Sequence, residues 1–200
     1  MADNQLLNDN NDVGGGDDIF VYTGGDQQVP RDVERVRIAE NVDTIPANTF
    51  MYCEHLIEVE GHNKMKKIEQ LAFNECRSLR RVSKMECLIE IEGWAFNTCR
   101  ALRELEFDKL EFIGDYAFVN CESLKSINMP SIRRIGKSSF ESCYALNDAV
   151  FGERLERIEA SAFNCISCGA LRSISIPLKD DIFIGHNAFY DFSALRDMEK

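Results

Sequence analysis

A phenylalanine recurs through the chain at intervals of 22 to 26 residues, and this spacing constrains the fold more than any other feature. An isoleucine lies five residues before each phenylalanine, and a leucine follows it six residues later in every repeat but the sixth. The phenylalanines are Phe50, Phe73, Phe96, Phe118, Phe140, Phe163 and Phe189. Self-similarity at a period of about 20–50 residues is typical of solenoids, in which each repeat packs only on its neighbours.

The residue types within a repeat predict its local structure. Each repeat ends in a Leu-x-x-Ile-x-Ile stretch, whose alternation of apolar and polar residues is typical of a strand with one buried face. Between the isoleucine and a cysteine three residues after the phenylalanine, the spacing places side chains on one face of a short helix. We therefore predict an α/β fold, with a curved parallel sheet on the concave face and short helices or turns on the convex face.

One consensus describes the repeats: Ile-x-x-x-Ala-Phe-x-x-Cys-x-x-Leu. Residues 91–102, Ile-Glu-Gly-Trp-Ala-Phe-Asn-Thr-Cys-Arg-Ala-Leu, and the equivalent residues 113–124 match it most fully. This pattern resembles the leucine-rich repeats of the BspA-like type, and the resemblance covers residues 33–200 with about seven repeats. It implies a leucine-rich-repeat solenoid. It implies no particular function, because such repeats occur both in surface adhesins and in intracellular proteins.

The two ends of the chain differ from the repeats. Residues 1–18 are rich in aspartate, asparagine and glycine, so we predict a disordered acidic tail. Residues 19–32 contain the apolar run Ile19-Phe20-Val21-Tyr22 and are predicted to cap the solenoid of residues 33–200. The last repeat ends on a charged sequence without a recognisable cap. Three interpretations stay open: the charged ending suffices as a cap, another chain docks there in end-to-end self-association, or the chain is a shortened member of a longer repeat family.

Composition restricts the classes of partner. The chain carries 34 acidic and 23 basic residues and a net charge of −11, which argues against nucleic acid and favours a basic protein partner. Its apolar runs are far shorter than the ~20 residues that span a bilayer, and its N-terminus lacks the pattern of a secretory signal. We therefore expect no membrane insertion and a cytoplasmic location.

Six of the eight cysteines occupy one column of the repeat, which predicts small, buried, reduced thiols. The column contains Cys53, Cys76, Cys99, Cys121, Cys143 and Cys168. Cys165 and Cys168 also form a Cys-x-x-Cys pair, the spacing used by redox and zinc sites. We interpret the pair as a bulged turn at a two-residue insertion, with a thiol-active protein as an alternative. No other motif predicts an enzyme, a metal site or a cofactor.

The strand residues that alternate with the buried positions are the candidate binding surface, because they face out of the sheet. In the first such column Arg35, Glu58, Arg81 and Glu104 are predicted to pair laterally. The predicted recognition patch consists of Arg81, Glu104, Glu106, Asp108, Ser126, Asn128 and Asp148. The sequence thus favours a non-enzymatic protein–protein interaction scaffold. A cell-surface or adhesion-type repeat protein is the alternative.

Overall fold

The computed structural model describes residues 19–164 and 171–189, except for the side chains of Glu104 and Glu106. The predicted tail of residues 1–18, Cys165 and Cys168, and the chain beyond residue 189 lie outside this part. Within it the backbone forms fifteen short strands. They are β1 (Phe20–Tyr22), β2 (Arg35–Ile38), β3 (Thr44–Ile45), β4 (Glu58–Glu60), β5 (Lys67–Ile68), β6 (Arg81–Ser83), β7 (Glu90–Ile91), β8 (Glu104–Glu106), β9 (Phe112–Ile113), β10 (Ser126–Met129), β11 (Arg134–Ile135), β12 (Asp148–Phe151), β13 (Arg157–Ile158), β14 (Ser173–Ser175) and β15 (Phe183–Ile184).

Each coil contributes one longer strand and one two-residue strand, and each kind pairs with its equivalent in the next coil. The longer strands form two four-stranded sheets, β1-β2-β4-β6 and β14-β12-β10-β8, and the two-residue strands form one continuous seven-stranded sheet from β3 to β15. Every pairing between these strands is parallel, as Val36, Val59 and Val82 illustrate. The predicted parallel-sheet solenoid is confirmed. The continuous sheet was not predicted.

The segments predicted as short helices or turns are turns throughout the described residues, which contain no helix. Two residues before each of the seven phenylalanines, and two residues after each one from Phe50 to Phe140, the backbone has φ between 49° and 63°, as at Trp94 and Thr98. Left-handed residues at this spacing prevent a continuous right-handed helix. Alternate amides instead donate to the next coil: Phe96 N to Ala117 O at 2.7 Å and Thr98 N to Val119 O at 2.8 Å.

A glycine at one of these left-handed positions should stabilise the protein. Ser142 has a φ of 60°, a conformation that costs a residue with a Cβ about 1–2 kcal/mol. Because glycine also loses more backbone entropy on folding, we expect Ser142→Gly to raise the free energy of unfolding by about 0.5–1 kcal/mol in urea denaturation. Ser126→Gly in β10 is the control and should lower it. Destabilisation by Ser142→Gly would contradict the left-handed assignment.

The phenylalanines form one continuous stack through the core. Neighbouring rings from Phe50 to Phe189 lie parallel, with centroids 5.0–5.3 Å apart and interplanar angles of 2–13°. The six rings from Phe50 to Phe163 are at most 1% exposed. Tyr22 of β1 meets Phe50 edge-on at 5.4 Å and 68°, so this end of the stack is covered by a ring of different orientation.

The segment of residues 19–32 packs against the first coil. Its strand β1 pairs in parallel with β2, Phe20 opposite Val36. The carbonyl oxygen of Pro30 accepts from the Val33 amide at 3.3 Å. None of the residues that the structure describes belongs to a helix long and apolar enough to cross a membrane.

Candidate binding surface

The outward-facing residues of the longer strands β2 to β14 form a surface that we call the strand face. Its first half comprises β2, β4 and β6, and its second half β8, β10, β12 and β14. Backbone pairing aligns Glu104, Ser126 and Asp148 in one column and Glu106 with Asn128 in the next. Ser126, Asn128 and Asp148 are exposed, as are Arg81 in β6 and Asp108 just after β8. The side chains of Glu104 and Glu106 lie outside the described part.

Ion pairs occupy the first half of the strand face. Arg37 Nε lies 3.0 Å from Glu60 Oε2, and Lys84 Nζ contacts the other oxygen of the same carboxylate. Hydrogen bonds from Lys84 and Arg37 lower the pKa of Glu60. Lateral pairing therefore occurs in the column of Arg37 and Glu60. It was predicted one column earlier, yet Arg81 there makes no ion pair with a described side chain.

The second half differs, because no described side chain on it makes an ion pair. Asp148 and Val150 are exposed on β12, as are Ser173 and Ser175 on β14. The change coincides with a break in backbone pairing, since β6 and β8 are neighbours in the stack but belong to different sheets. At this step lies a cavity of about 170 Å³. Its lining includes Met85, Glu86, Asp108 and Asn128.

The outward face of the continuous sheet is charged and largely self-paired. Arg134 and Arg157 both pair with Glu159, at 3.2 Å and 2.7 Å. Lys67 contacts Glu92 at 2.5 Å. The guanidinium of Arg157 also lies 3.8 Å from the ring centroid of Phe183. Exposed pairs of this kind contribute little stability each, but they leave few charges on this face free for a partner.

The repeat architecture agrees with a known family of repeats. The family model "BspA type Leucine rich repeat region" matches six copies over residues 30–146 and 85–196. The chain belongs to the BspA-type leucine-rich repeat family. No curated protein matches it significantly.

Two solved structures of leucine-rich repeat proteins resemble this BspA-type chain. The Treponema pallidum protein TpLRR is 25% identical, with a TM-score of 0.68 over 75% of this chain and 72% of that chain. A leucine-rich cell surface protein of Faecalibacterium prausnitzii A2-165 is 27% identical, with a TM-score of 0.69 over 88% of this chain and 48% of that chain. The chain therefore spans about half the length of the second protein.

The cysteines of these BspA-type repeats form a ladder of thiols, confirming the predicted burial for the five described members. Cys53, Cys76, Cys99, Cys121 and Cys143 are free and at most 3% exposed. Cys99 Sγ donates to the carbonyl oxygen of Phe73 in the preceding coil at 3.2 Å, and Cys121 repeats this with Phe96 at 3.3 Å. Burial raises the pKa of these thiols, that of Cys143 to about 12.

The ladder therefore has a structural role, because a thiolate is the reactive form of cysteine. Cys87 lies outside the ladder and is half-buried, with Lys109 Nζ 3.4 Å from its sulfur. Among the residues that the structure describes, no three histidine, cysteine or acidic side chains are grouped to hold a metal ion. Cys165 and Cys168 lie outside those residues, so the bulged turn stays a prediction, with a thiol-active role as its alternative.

His62 is a buried polar residue for which the sequence analysis predicts no role. It is 7% exposed, and its Nε2 lies 3.0 Å from the carbonyl oxygens of both Ala39 and Val42. Its Nδ1 accepts from the Lys64 amide at 3.2 Å. These contacts assign the proton to Nε2, and the ring joins two successive coils. An isolated histidine outside the repeat columns carries no sequence signal for this role.

We expect His62→Ala to lower the free energy of unfolding by about 2 kcal/mol, because it removes the partners of three buried or half-buried backbone groups. Urea denaturation at neutral pH measures the effect. His186→Ala is the control, since His186 is exposed and its loss should change stability little. Equal effects of the two substitutions would contradict the structural role of His62.

Proposed function

We propose that this chain is a non-enzymatic interaction scaffold that binds a partner protein through the second half of the strand face. The observation that carries the proposal is that ion pairs form on the first half of the strand face and not among the described side chains of the second half. Arg37, Glu60 and Lys84 satisfy one another on the first half, whereas the described side chains of β10, β12 and β14 make no ion pair. Exposed polar groups that lack partners within the protein are available to a second protein at a low desolvation cost.

The core supports rigid display of this surface. The ring stack and the thiol ladder fix each coil on its neighbours, so the side chains at 126, 128, 148 and 150 occupy a regular lattice. Preorganisation of this kind lowers the entropy lost on binding. The proposed site keeps the predicted recognition patch of Glu104, Glu106, Asp108, Ser126, Asn128 and Asp148, but not Arg81, which lies on β6 in the first half. The basic partner and the cytoplasmic location remain predictions.

Site-specific photo-crosslinking tests the proposal. A benzoylphenylalanine is placed at Asn128, at the centre of the second half, or at Phe112, which is 36% exposed on the continuous sheet. Both variants are irradiated in lysate of the source cells, and any protein crosslinked only at position 128 is identified, purified and titrated. We expect direct binding that Asn128→Arg weakens and Phe112→Arg leaves unchanged. Crosslinks only at position 112 would reject the strand face as the site.

A cell-surface protein is the second candidate, because the similar protein of F. prausnitzii is described as a leucine-rich cell surface protein. The six described free cysteines favour a reducing location instead. Labelling intact source cells with a membrane-impermeant biotin reagent separates the two. Biotinylation before lysis would support the surface location, whereas labelling that requires lysis would support the intracellular scaffold. A thiol-active protein would show disulfide reductase activity that Cys165→Ser abolishes.

A further inference from the structure

A row of basic residues lies directly before the first residues of the longer strands. Arg80, Arg103, Lys125 and Arg172 precede β6, β8, β10 and β14, and Asn147 holds the same position before β12. Backbone hydrogen bonds join the positions in order. They run from Arg103 N to Arg80 O at 3.4 Å, Lys125 N to Arg103 O at 3.1 Å, Asn147 N to Lys125 O at 2.7 Å and Arg172 N to Asn147 O at 2.7 Å. We call these five residues the basic row.

The four charged residues of the basic row are exposed, and none makes an ion pair with a described side chain. This contrasts with the arginines of the continuous sheet, such as Arg134 and Arg157, which pair with Glu159. Like charges on neighbouring strands repel each other. The basic row therefore carries positive charge that no described acidic side chain pairs with, along one edge of a protein whose net charge is −11.

We propose that the basic row binds an acidic segment of the partner protein, which lies along the stack and crosses the strands. This rests on the proposed function and specifies the chemistry of the partner at one edge of the strand face. Arginine binds carboxylates through paired, charge-assisted hydrogen bonds, and the Asn147 amide can donate between Lys125 and Arg172. The proposal replaces the basic partner with an acidic one at this edge.

The dimensions fit a short peptide. Neighbouring strands are about 4.8 Å apart, so Arg80 to Lys125 spans about 10 Å, the length of roughly three extended residues. A nucleic acid fits less well, because its chain of phosphate charges extends far beyond the three neighbouring basic residues Arg80, Arg103 and Lys125. Glu104 and Asp148 follow the row in sequence, and the net negative charge of the protein would repel a long polyanion.

Fluorescence anisotropy with defined probes tests the proposal. The probe is a fluorescein-labelled peptide of alternating glutamate and alanine. A lysine–alanine peptide of equal length and an oligothymidylate of equal charge serve as comparisons. At low ionic strength we expect the glutamate peptide to bind most tightly. Arg103→Glu or Lys125→Glu should weaken it by at least about tenfold, and Arg103→Lys should retain binding.

Lys109→Glu is the matched control, because it makes the same charge change at an exposed lysine outside the row. Equal losses in Lys109→Glu and Arg103→Glu would reduce the effect to net charge and overturn the proposal. Tighter binding of the lysine peptide or of the oligothymidylate would also overturn it. Crosslinking at Asn128 would then still stand as an independent test of the proposed function.

A measurement without ligand gives a second test. Arg103→Glu places an acid between Arg80 and Lys125 and converts repulsion into attraction, so it should raise the melting temperature. A lowered melting temperature would mean that the row is already neutralised within the protein, and the acidic partner would be rejected.

Discussion

We expect Phe118→Ala to lower the free energy of unfolding by about 3–5 kcal/mol, the usual cost of removing a fully buried phenylalanine. Phe118 is 0% exposed. Its ring stacks on Phe96 at 5.1 Å and on Phe140 at 5.2 Å, so the substitution leaves a cavity between two rings that neighbouring coils hold in place. Urea denaturation followed by circular dichroism measures the loss.

Phe112→Ala is the control for this substitution. Phe112 is 36% exposed on the continuous sheet, so its removal opens no enclosed cavity and should have a much smaller effect. Comparable losses from the two substitutions would mean that the ring stack is not the main element of the core, and an unchanged midpoint for Phe118→Ala would exclude the stack.

Alkaline pH should destabilise the protein steeply. Thiols ionise near pH 8.5 in an unfolded chain, whereas burial raises the pKa of Cys76, Cys99, Cys121 and Cys143 well above that. Above pH 8.5 the folded state therefore holds thiol protons that the unfolded state releases. The stabilisation is complete below this pH and falls by about 1.4 kcal/mol per pH unit for each thiol, or roughly 5 kcal/mol for four.

Urea denaturation at several pH values between 7 and 10, with a reductant present, measures this slope. Cys121→Ser is the matched variant: its hydroxyl can donate to the Phe96 carbonyl as the thiol does, but it does not titrate in this range. The slope above pH 8.5 should fall by about 1.4 kcal/mol per pH unit in the variant. Equal slopes in the two proteins would contradict the raised pKa of Cys121.

The repeat columns predicted the solenoid because burial repeats at fixed intervals along the chain. The equivalents of Phe96, Cys99 and Leu102 are buried in each of the five coils from Phe50 to Phe140, and those positions accept only residues that pack on their own equivalents. The sequence did not decide between short helices and turns for the convex segments, because Trp94 and Thr98 carry no signature of left-handed backbone. The continuous sheet was missed because a strand such as Glu90–Ile91 is too short to show alternation.

The binding surface was only partly predictable, because side-chain pairing depends on neighbours about 23 residues away. Arg37 forms an ion pair with Glu60, but Arg81 forms none with Glu58. The sequence around these residues contains no feature that distinguishes the two cases. The basic row is hidden in the same way: Arg80, Arg103 and Lys125 are isolated in sequence, and only the stacking of coils brings them together. The net negative charge of the whole chain therefore gives no indication of the positive charge of the basic row.

The break between β6 and β8 also has a mechanical consequence. Across this step the strand face lacks the strand pairing found elsewhere, whereas β5, β7 and β9 remain paired in the continuous sheet. The solenoid therefore has an unbroken sheet on one side and a break in strand pairing, between β6 and β8, on the other. Bending at this step would break no strand pairing on the strand face, so a change in the tilt between its two rigid halves would cost least there.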